Sequence, residues 1–210
     1  HLPMSPPIEE ILADYDWQPE LVERISYRDV ATPIKIHPPN PAWPQIFLGI
    51  KDRIIAALGE TALSVNHVGS TSVPGLSAKD IIDIDLVVQD STDESAYVKA
   101  LESAGFNFLL RERHWHEHRF FYTSAPQAIN LHVWGPDCAE VARHQIFRQR
   151  LLGHPGDLAM YAECKDIAAR ETREDGGDMN EYTARKTEVI KKILRNAFVE
   201  LGYISGNEGY

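Results

Sequence analysis

The chain reads as an α+β protein, a mixed α/β sheet with flanking helices followed by a helical lobe. Three observations lead there. Segments of strand length alternate with helical ones over residues 34–136, the pattern turns uniformly helical over residues 137–204, and 210 residues without a break in composition allow one substantial core. The expected organisation is an N-terminal extension (1–33), a sheet lobe (about 34–136), a helical lobe (about 137–204) and a tail (205–210) that the absence of apolar spacing marks as mobile.

In the extension, Ile8, Ile11 and Leu12 form a short helical pattern among prolines and acids, expected to pack on the core. His1, Leu2 and Pro3 precede Met4 and are set aside. Ile34-Lys-Ile-His37 alternates as a strand and is stopped by Pro38 and Pro39. Trp43 to Leu58 carries apolar residues at helical spacing and ends at Gly59, a common helix stop. Ser64 to Val68 is a short strand, Ile81 to Val88 an apolar strand, Ser95 to Ser103 a helix closed by Gly105, and Phe106 to Leu110 extended again. Arg119 to Tyr122 and Ile129 to Trp134 read as a hairpin turning through Ser124, Ala125 and Pro126. Helices are expected at 140–152, 157–169 and 180–201, separated by His154-Pro-Gly156 and Asp175-Gly-Gly-Asp178.

The most informative stretch joins the turn His67-Val-Gly-Ser-Thr-Ser-Val-Pro-Gly-Leu76 to the strand Ile81-Ile-Asp-Ile-Asp-Leu-Val-Val88. Strand alternation puts Asp83 and Asp85 on one face, roughly 7 Å apart. Two carboxylates in an apolar strand are expensive to bury unless a cation sits between them or one is protonated. Mg²⁺, a hard ion satisfied by one or two carboxylates plus water and phosphate, suits the pair, with Mn²⁺ as a substitute. The alternative is a strand edge with both acids solvated. Gly69 relaxes the backbone, and Ser70, Thr71 and Ser72 add hydroxyls to amides that can line an anion pocket.

This turn, spacer and Asp-x-Asp strand resemble the nucleotidyltransferase superfamily typified by the DNA polymerase beta palm. More narrowly, the chain resembles the GrpB family over roughly residues 34–194, through His67 to Lys79, Ile82-Asp-Ile-Asp85, Gly105-Phe106, Arg119-Phe-Phe121, Leu131-His-Val133, Phe147-Arg148, His154-Pro155, Tyr161 with Lys165, and Tyr182 with Lys186. The resemblance implies a nucleotidyltransferase-like sheet and transfer of a nucleoside monophosphate from an NTP, ATP foremost, to a small-molecule acceptor. Asp83, Asp85 and His132 would hold the metal. Gly69, Ser70, Thr71, Ser72, Lys79, Arg119, Arg148, Tyr161, Lys165 and Lys186 would contact nucleotide. Two departures stand out: the strand that carries a third carboxylate in the superfamily offers Asn130 and His132, and Leu152 stands where the family often has arginine.

Several of these positions also read another way. His132 serves as metal ligand, general base or buried hydrogen-bond partner. Arg119 clamps phosphate or pairs with Asp83 or Asp85. Each Tyr–Lys pair, four apart on a helix, stacks a base and meets phosphate, or packs a tyrosine under a snorkelling lysine. His114, His116 and His118 alternate as zinc ligands would, but flanking arginines and the missing fourth ligand favour a solvated edge. Two further functions use the same residues: an amide ligase acting through an acyl-adenylate, and a noncatalytic nucleotide-binding domain.

The net charge of -10 disfavours long nucleic acid without opposing a small nucleotide. Two cysteines, Cys138 and Cys164, fit free thiols in a reducing cytoplasm. No apolar run approaches the roughly 20 residues of a membrane span, and no signal-peptide core opens the sequence.

Overall fold

The computed structural model describes residues 5–206. His1 to Pro3 and the last four residues of the expected tail lie outside that range. The strands are β1 (Glu23–Arg24), β2 (Ser64–Val68), β3 (Ile81–Val87), β4 (Asn107–Glu112), β5 (His118–Thr123) and β6 (Ala128–Trp134). They form one six-stranded sheet in the order β1-β4-β5-β6-β3-β2. Only β3 and β6 run parallel, in a register that sets Asp83 beside Asn130 and Asp85 beside His132. The helices are α1 (Ile8–Leu12), α2 (Trp43–Leu58), α3 (Val98–Ser103), α4 (Ala139–Gly153), α5 (Pro155–Glu174) and α6 (Met179–Glu200).

The sheet has one apolar and one polar face. Val65, Ile82, Ile84, Leu86, Phe121, Ile129, Leu131 and Val133 build the apolar face, packed with Phe47, Ile50 and Ile54 of α2 and Leu101 of α3. Ile82, Ile84 and Leu86 are wholly buried, and each such side chain contributes about 1.5–3 kcal/mol. Asp83, Asp85, Asn130 and His132 alternate onto the other face, where α4, α5 and α6 meet them. Beneath that lobe Val73, Leu76, Leu151, Tyr161 and Ile193 form a second apolar cluster. Ile11 of α1 packs with Ala139, Leu194 and Phe198.

Two expected elements differ. Ile34 to His37 is extended but makes only a single bridge, His37 with Ala78. Ile34 and Ile36 pack against Ala168, Ala169 and Tyr182, so their alternation serves a helical surface. The Ile34 carbonyl is satisfied by Arg173 at 2.8 Å, and the flanking prolines offer no N–H to extend a ladder. The expected helix from Ser95 is broken into a 3-10 turn over Glu94–Ala96 and then α3. Tyr97 divides them, wholly buried, with its hydroxyl donating to the Ser91 carbonyl. The helices after residue 137 match expectation, α5 running five residues further, to Glu174. Asp178 and Glu181 cap the start of α6 with a reciprocal capping box.

Candidate active site

β2 delivers the chain into Gly69, whose φ of +70° and ψ of -171° suit glycine almost alone. A Cβ there would sit 2.6 Å from Asp83 Oδ2, so turn and strand meet with no side chain between them. Ser70–Ser72 form one 3-10 turn. Ser72 Oγ donates to the Gly69 carbonyl at 2.6 Å and Thr71 Oγ1 to the Ile81 carbonyl at 3.1 Å. Having spent its proton, Thr71 Oγ1 accepts from His67 Nε2 at 2.9 Å. Burial pushes His67 down to about 4, which keeps that ring neutral. Thr71 and Ser72 therefore brace the turn. Ser70 is the hydroxyl left facing the cavity, beside Tyr161.

That cavity, about 180 Å³, is bounded by the turn, by Asp83 and Asn130 from β3 and β6, and by Tyr161, Lys165, Tyr182 and Lys186 from α5 and α6. Lys79, from the loop before β3, is the third ammonium group on its wall. Helical spacing sets Lys165 Nζ 4.8 Å from the Tyr161 ring centre and Lys186 Nζ 4.3 Å from that of Tyr182, with Lys79 Nζ 4.8 Å from the same ring. Lys165 also donates to the Ser77 carbonyl, and Lys79 to Met179 Sδ at 2.8 Å. Asp83 accepts from Asn130 Nδ2 at 2.9 Å.

Burial depresses all three ammonium groups, Lys165 to about 7 and Lys79 and Lys186 to about 8; the charge of Lys186 lowers Lys165 and Lys79 further, while Asp83 opposes the shift of Lys186. An oxyanion in the cavity would oppose the shift of all three by attraction. With the cavity empty, unfolded lysines bind protons that the folded ones have released, so this cluster makes stability rise with pH between about 7 and 10.5. Lys165→Met is expected to flatten that slope relative to the native chain, as read by urea denaturation at a series of pH values.

Asp85 shares the face with Asp83 but is committed elsewhere. It is fully buried, accepting from Trp134 Nε1 at 2.9 Å and from His144 Nδ1 at 2.7 Å. Asp85 raises His144 to about 9 against the opposing effect of burial, while the imidazolium holds Asp85 below the ordinary carboxylate value. His132 lies off the cavity. Its Nδ1 meets His118 Nε2 at 2.9 Å, and His118 Nδ1 meets Glu112 at 2.7 Å. Because the carboxylate accepts from His118, the His118 lone pair accepts from His132, leaving the His132 lone pair on Nε2. Burial lowers both rings below their usual value, so both are neutral.

The expected metal set of Asp83, Asp85 and His132 is thus not assembled, and among the described residues no group of three or more His, Cys, Asp or Glu side chains is placed to share an ion. The donor chemistry fits a narrower role. Asp83 is the one carboxylate facing the cavity, and Mg²⁺ accepts a single carboxylate when phosphate and water complete its shell.

Other expected contacts are redistributed by the pleat. Arg119 alternates with His118 and Phe120, so it emerges on the apolar face, wholly buried, bound to Glu94 at 2.7 Å and Glu117 at 3.1 Å. Neither phosphate nor the aspartates are in its reach, which corrects both expectations for it. Arg148 donates to the Ser72 carbonyl at 3.2 Å and buttresses the turn from behind. The 114-116-118 zinc reading fails because the chain turns at Trp115, leaving only His118 in a strand and His114 on the Tyr15 hydroxyl at 2.9 Å. Gly69, Ser70, Thr71, Lys79, Asp83, Tyr161, Lys165 and Lys186 are brought together on one cavity.

Sequence reasoning did not reach His144, Trp134 or Arg28. The signal for the first two was the strand itself, since a buried aspartate demands donors. It does not say which helix supplies them.

A mixed sheet carrying a Gly-Ser turn against an aspartate strand, closed by a helical lobe, defines an α+β protein with a lysine-walled cavity at the turn. Residues 33–196 match the model of the GrpB protein family, and the chain belongs to that family. It is 42% identical over 160 residues to a UPF0157 protein of Halalkalibacterium halodurans, covering 75% of this chain and 79% of that one. It is 36% identical over 183 residues to a UPF0157 protein of Pseudomonas aeruginosa, covering 82% and 74%. A dephospho-CoA kinase of Mycolicibacterium paratuberculosis is 30% identical over 213 residues, covering 87% of this chain but only 51% of the kinase. The crystal structure of the conserved protein GrpB from Enterococcus faecalis superposes with a TM-score of 0.67 over 80% of this chain and 99% of that one, at 24% identity, a likeness of fold. Cys138 and Cys164 are both free thiols, and among the described residues no helix is long and apolar enough to cross a membrane.

Proposed function

We propose that this chain transfers a nucleotidyl group from a nucleoside triphosphate, ATP foremost, to a small-molecule acceptor. The observation that carries the reading is the meeting of the Gly69–Ser70 turn, Asp83 and three lysines on one cavity. Lys79, Lys165 and Lys186 bind phosphate oxygens and spread the charge that grows on the leaving pyrophosphate. Backbone amides of the turn and the Ser70 hydroxyl orient the chain of phosphates. Tyr161 and Tyr182 shield the lysines from water, which strengthens each contact. Mg²⁺ carried in with the triphosphate, or Mn²⁺ in its place, would be held by Asp83 and would neutralise charge at the attacked phosphorus. Asn130 keeps the Asp83 carboxylate turned to that task.

The engagement of Asp85 by His144 and Trp134 favours a second reading, a nucleotide-binding domain without turnover. One experiment separates them. ATP binding is measured by calorimetry with and without Mg²⁺, and pyrophosphate release is followed in parallel. Burial raises the Asp83 carboxyl above its usual value against the pull of Asn130 and the lysines; Asp83→Asn takes away whatever negative charge it carries, so metal-free ATP should bind at least as tightly, whereas pyrophosphate release should fall by about 100-fold or more. Binding without release in the native chain, with a mixture of small hydroxyl and amine compounds present as acceptors, selects the second reading. No ATP binding in either condition sinks both.

A further inference from the structure

Ahead of the family-matched part of the chain, which begins at residue 33, the segment Glu23–Val30 crosses the sheet edge and reaches the polar face. Glu23 and Arg24 pair with Arg111 and Leu110 of β4. Ser26 Oγ then donates to the Phe108 carbonyl at 2.6 Å, and the Tyr122 hydroxyl donates to the Tyr27 carbonyl at 3.0 Å while accepting from the Asp29 amide at 3.2 Å. Ser124 Oγ fastens Asp29 at 2.7 Å. These anchors flank Arg28. Its guanidinium lies 5.5 Å and 5.0 Å from the Phe120 and Tyr122 ring centres and donates to Asn130 Oδ1 at 3.1 Å. Asn130 Nδ2 in turn donates to Asp83 Oδ1.

We propose that Arg28, from outside the family region, is a positioning residue for the site and acts on Asp83 through the Asn130 side-chain amide. The argument is one of donors and acceptors. An amide has one oxygen and one nitrogen end, and Arg can only donate. With Arg28 in place the oxygen must face it, so the nitrogen must face Asp83 and donate to its Oδ1. Without Arg28 the amide is held by Asp83 alone, and its oxygen end has no partner to keep the side chain from rotating away and freeing Asp83 from its orientation. Arg28 does not line the cavity, so it would not touch a bound anion, although its charge is felt by Asp83 and Lys79 on the cavity wall. The aromatic pair beneath it and the hydrogen bonds on either side hold the guanidinium where a flexible extension would not.

The catalytic consequence rests on the nucleotidyl-transfer reading, but the positioning does not, and the test keeps them apart. In the full chain, the Asn130 side-chain amide is followed by ¹⁵N–¹H NMR in the native protein and in Arg28→Ala, Arg28→Lys and Asp83→Asn. Arg28→Ala is expected to move the Asn130 amide signals as Asp83→Asn does, and Arg28→Lys, which keeps one donor, to restore most of the native position. Pyrophosphate release from Mg·ATP should fall roughly tenfold in Arg28→Ala, in the range usual for a group that orients a ligand from behind. Metal-free ATP should lose no more than about twofold in affinity, the long-range share of the Arg28 charge, and the Ala substitution should add no further loss of pyrophosphate release in an Asn130→Ala background. Asn130 signals that stay in place in Arg28→Ala overturn the inference whether or not the protein turns ATP over. So does a loss additive with Asn130→Ala. Native chain that releases no pyrophosphate but shows the shifted amide leaves the positioning standing and removes the transfer reading instead.

Discussion

Replacing His144 with alanine is expected to lower the unfolding free energy by about 3 kcal/mol, the usual order when one partner of a buried ion pair is removed. Asp85 is wholly buried, and its two oxygens accept one bond from Trp134 and one from His144. Truncation leaves a buried carboxylate with a single donor and no counter-charge. The deficit should depend on pH. His144 is raised from 6.5 to about 9 in the fold, so its contribution is fully present below about 6.5 and is lost as pH rises through about 9. Asp85 is depressed below 3.8, so its part is present above that value and is lost as pH falls through the folded one. Urea denaturation should show the largest gap between native and variant near pH 5–6, narrowing towards pH 9. Adding Asp85→Asn to His144→Ala should recover part of the loss, because the uncompensated charge goes with it. A gap that widens between pH 6.5 and 9 would contradict the ionised pair.

Gly69→Ala should be the most damaging single methyl in the chain for function. Its Cβ would stand 2.6 Å from Asp83 Oδ2 and 3.1 Å from Asp83 Cβ, in a backbone conformation that costs roughly 1–3 kcal/mol for any other residue. Either the turn or the carboxylate must move, and both belong to the cavity. Pyrophosphate release should drop to background along with the melting temperature. Gly75→Ala is the control: Gly75 also has a positive φ, +79°, but a Cβ there meets nothing within 4 Å. It should lose stability of similar order and keep its activity. Equal retention of activity in both variants would separate Asp83 from the chemistry.

The parts of this protein that were legible in its sequence are those governed by short-range periodicity. Asp83 and Asp85 do share a face, α2 does run from Trp43 to Leu58, and the Tyr161–Lys165 and Tyr182–Lys186 pairs do lie together along their helices. The misreadings share a cause. The family-like strand points Arg119 at the site, yet β5 alternates, and its register with β6 puts His118, Phe120 and Tyr122 on the polar face instead. His132 lies on the expected face but off the cavity: a histidine two residues along from Asn130 meets a different neighbour, His118, which is itself tied to Glu112. Ile34 to His37 alternates correctly, but the partner that its isoleucines find is a helix surface.

Local chemistry alone was enough to specify the glycine bend, the two acids following it and the helical spacing of the Tyr–Lys pairs, since each depends only on residues within a few positions of one another. Which acid stays open to a ligand was decided by the fold. α4 brings His144 onto Asp85 from 59 positions away, β6 brings Asn130 onto Asp83 from 47, and the extension brings Arg28 onto Asn130 from 102. A carboxylate's role follows from the donors around it, and at a buried site those donors come from distant segments whose meeting no local pattern encodes.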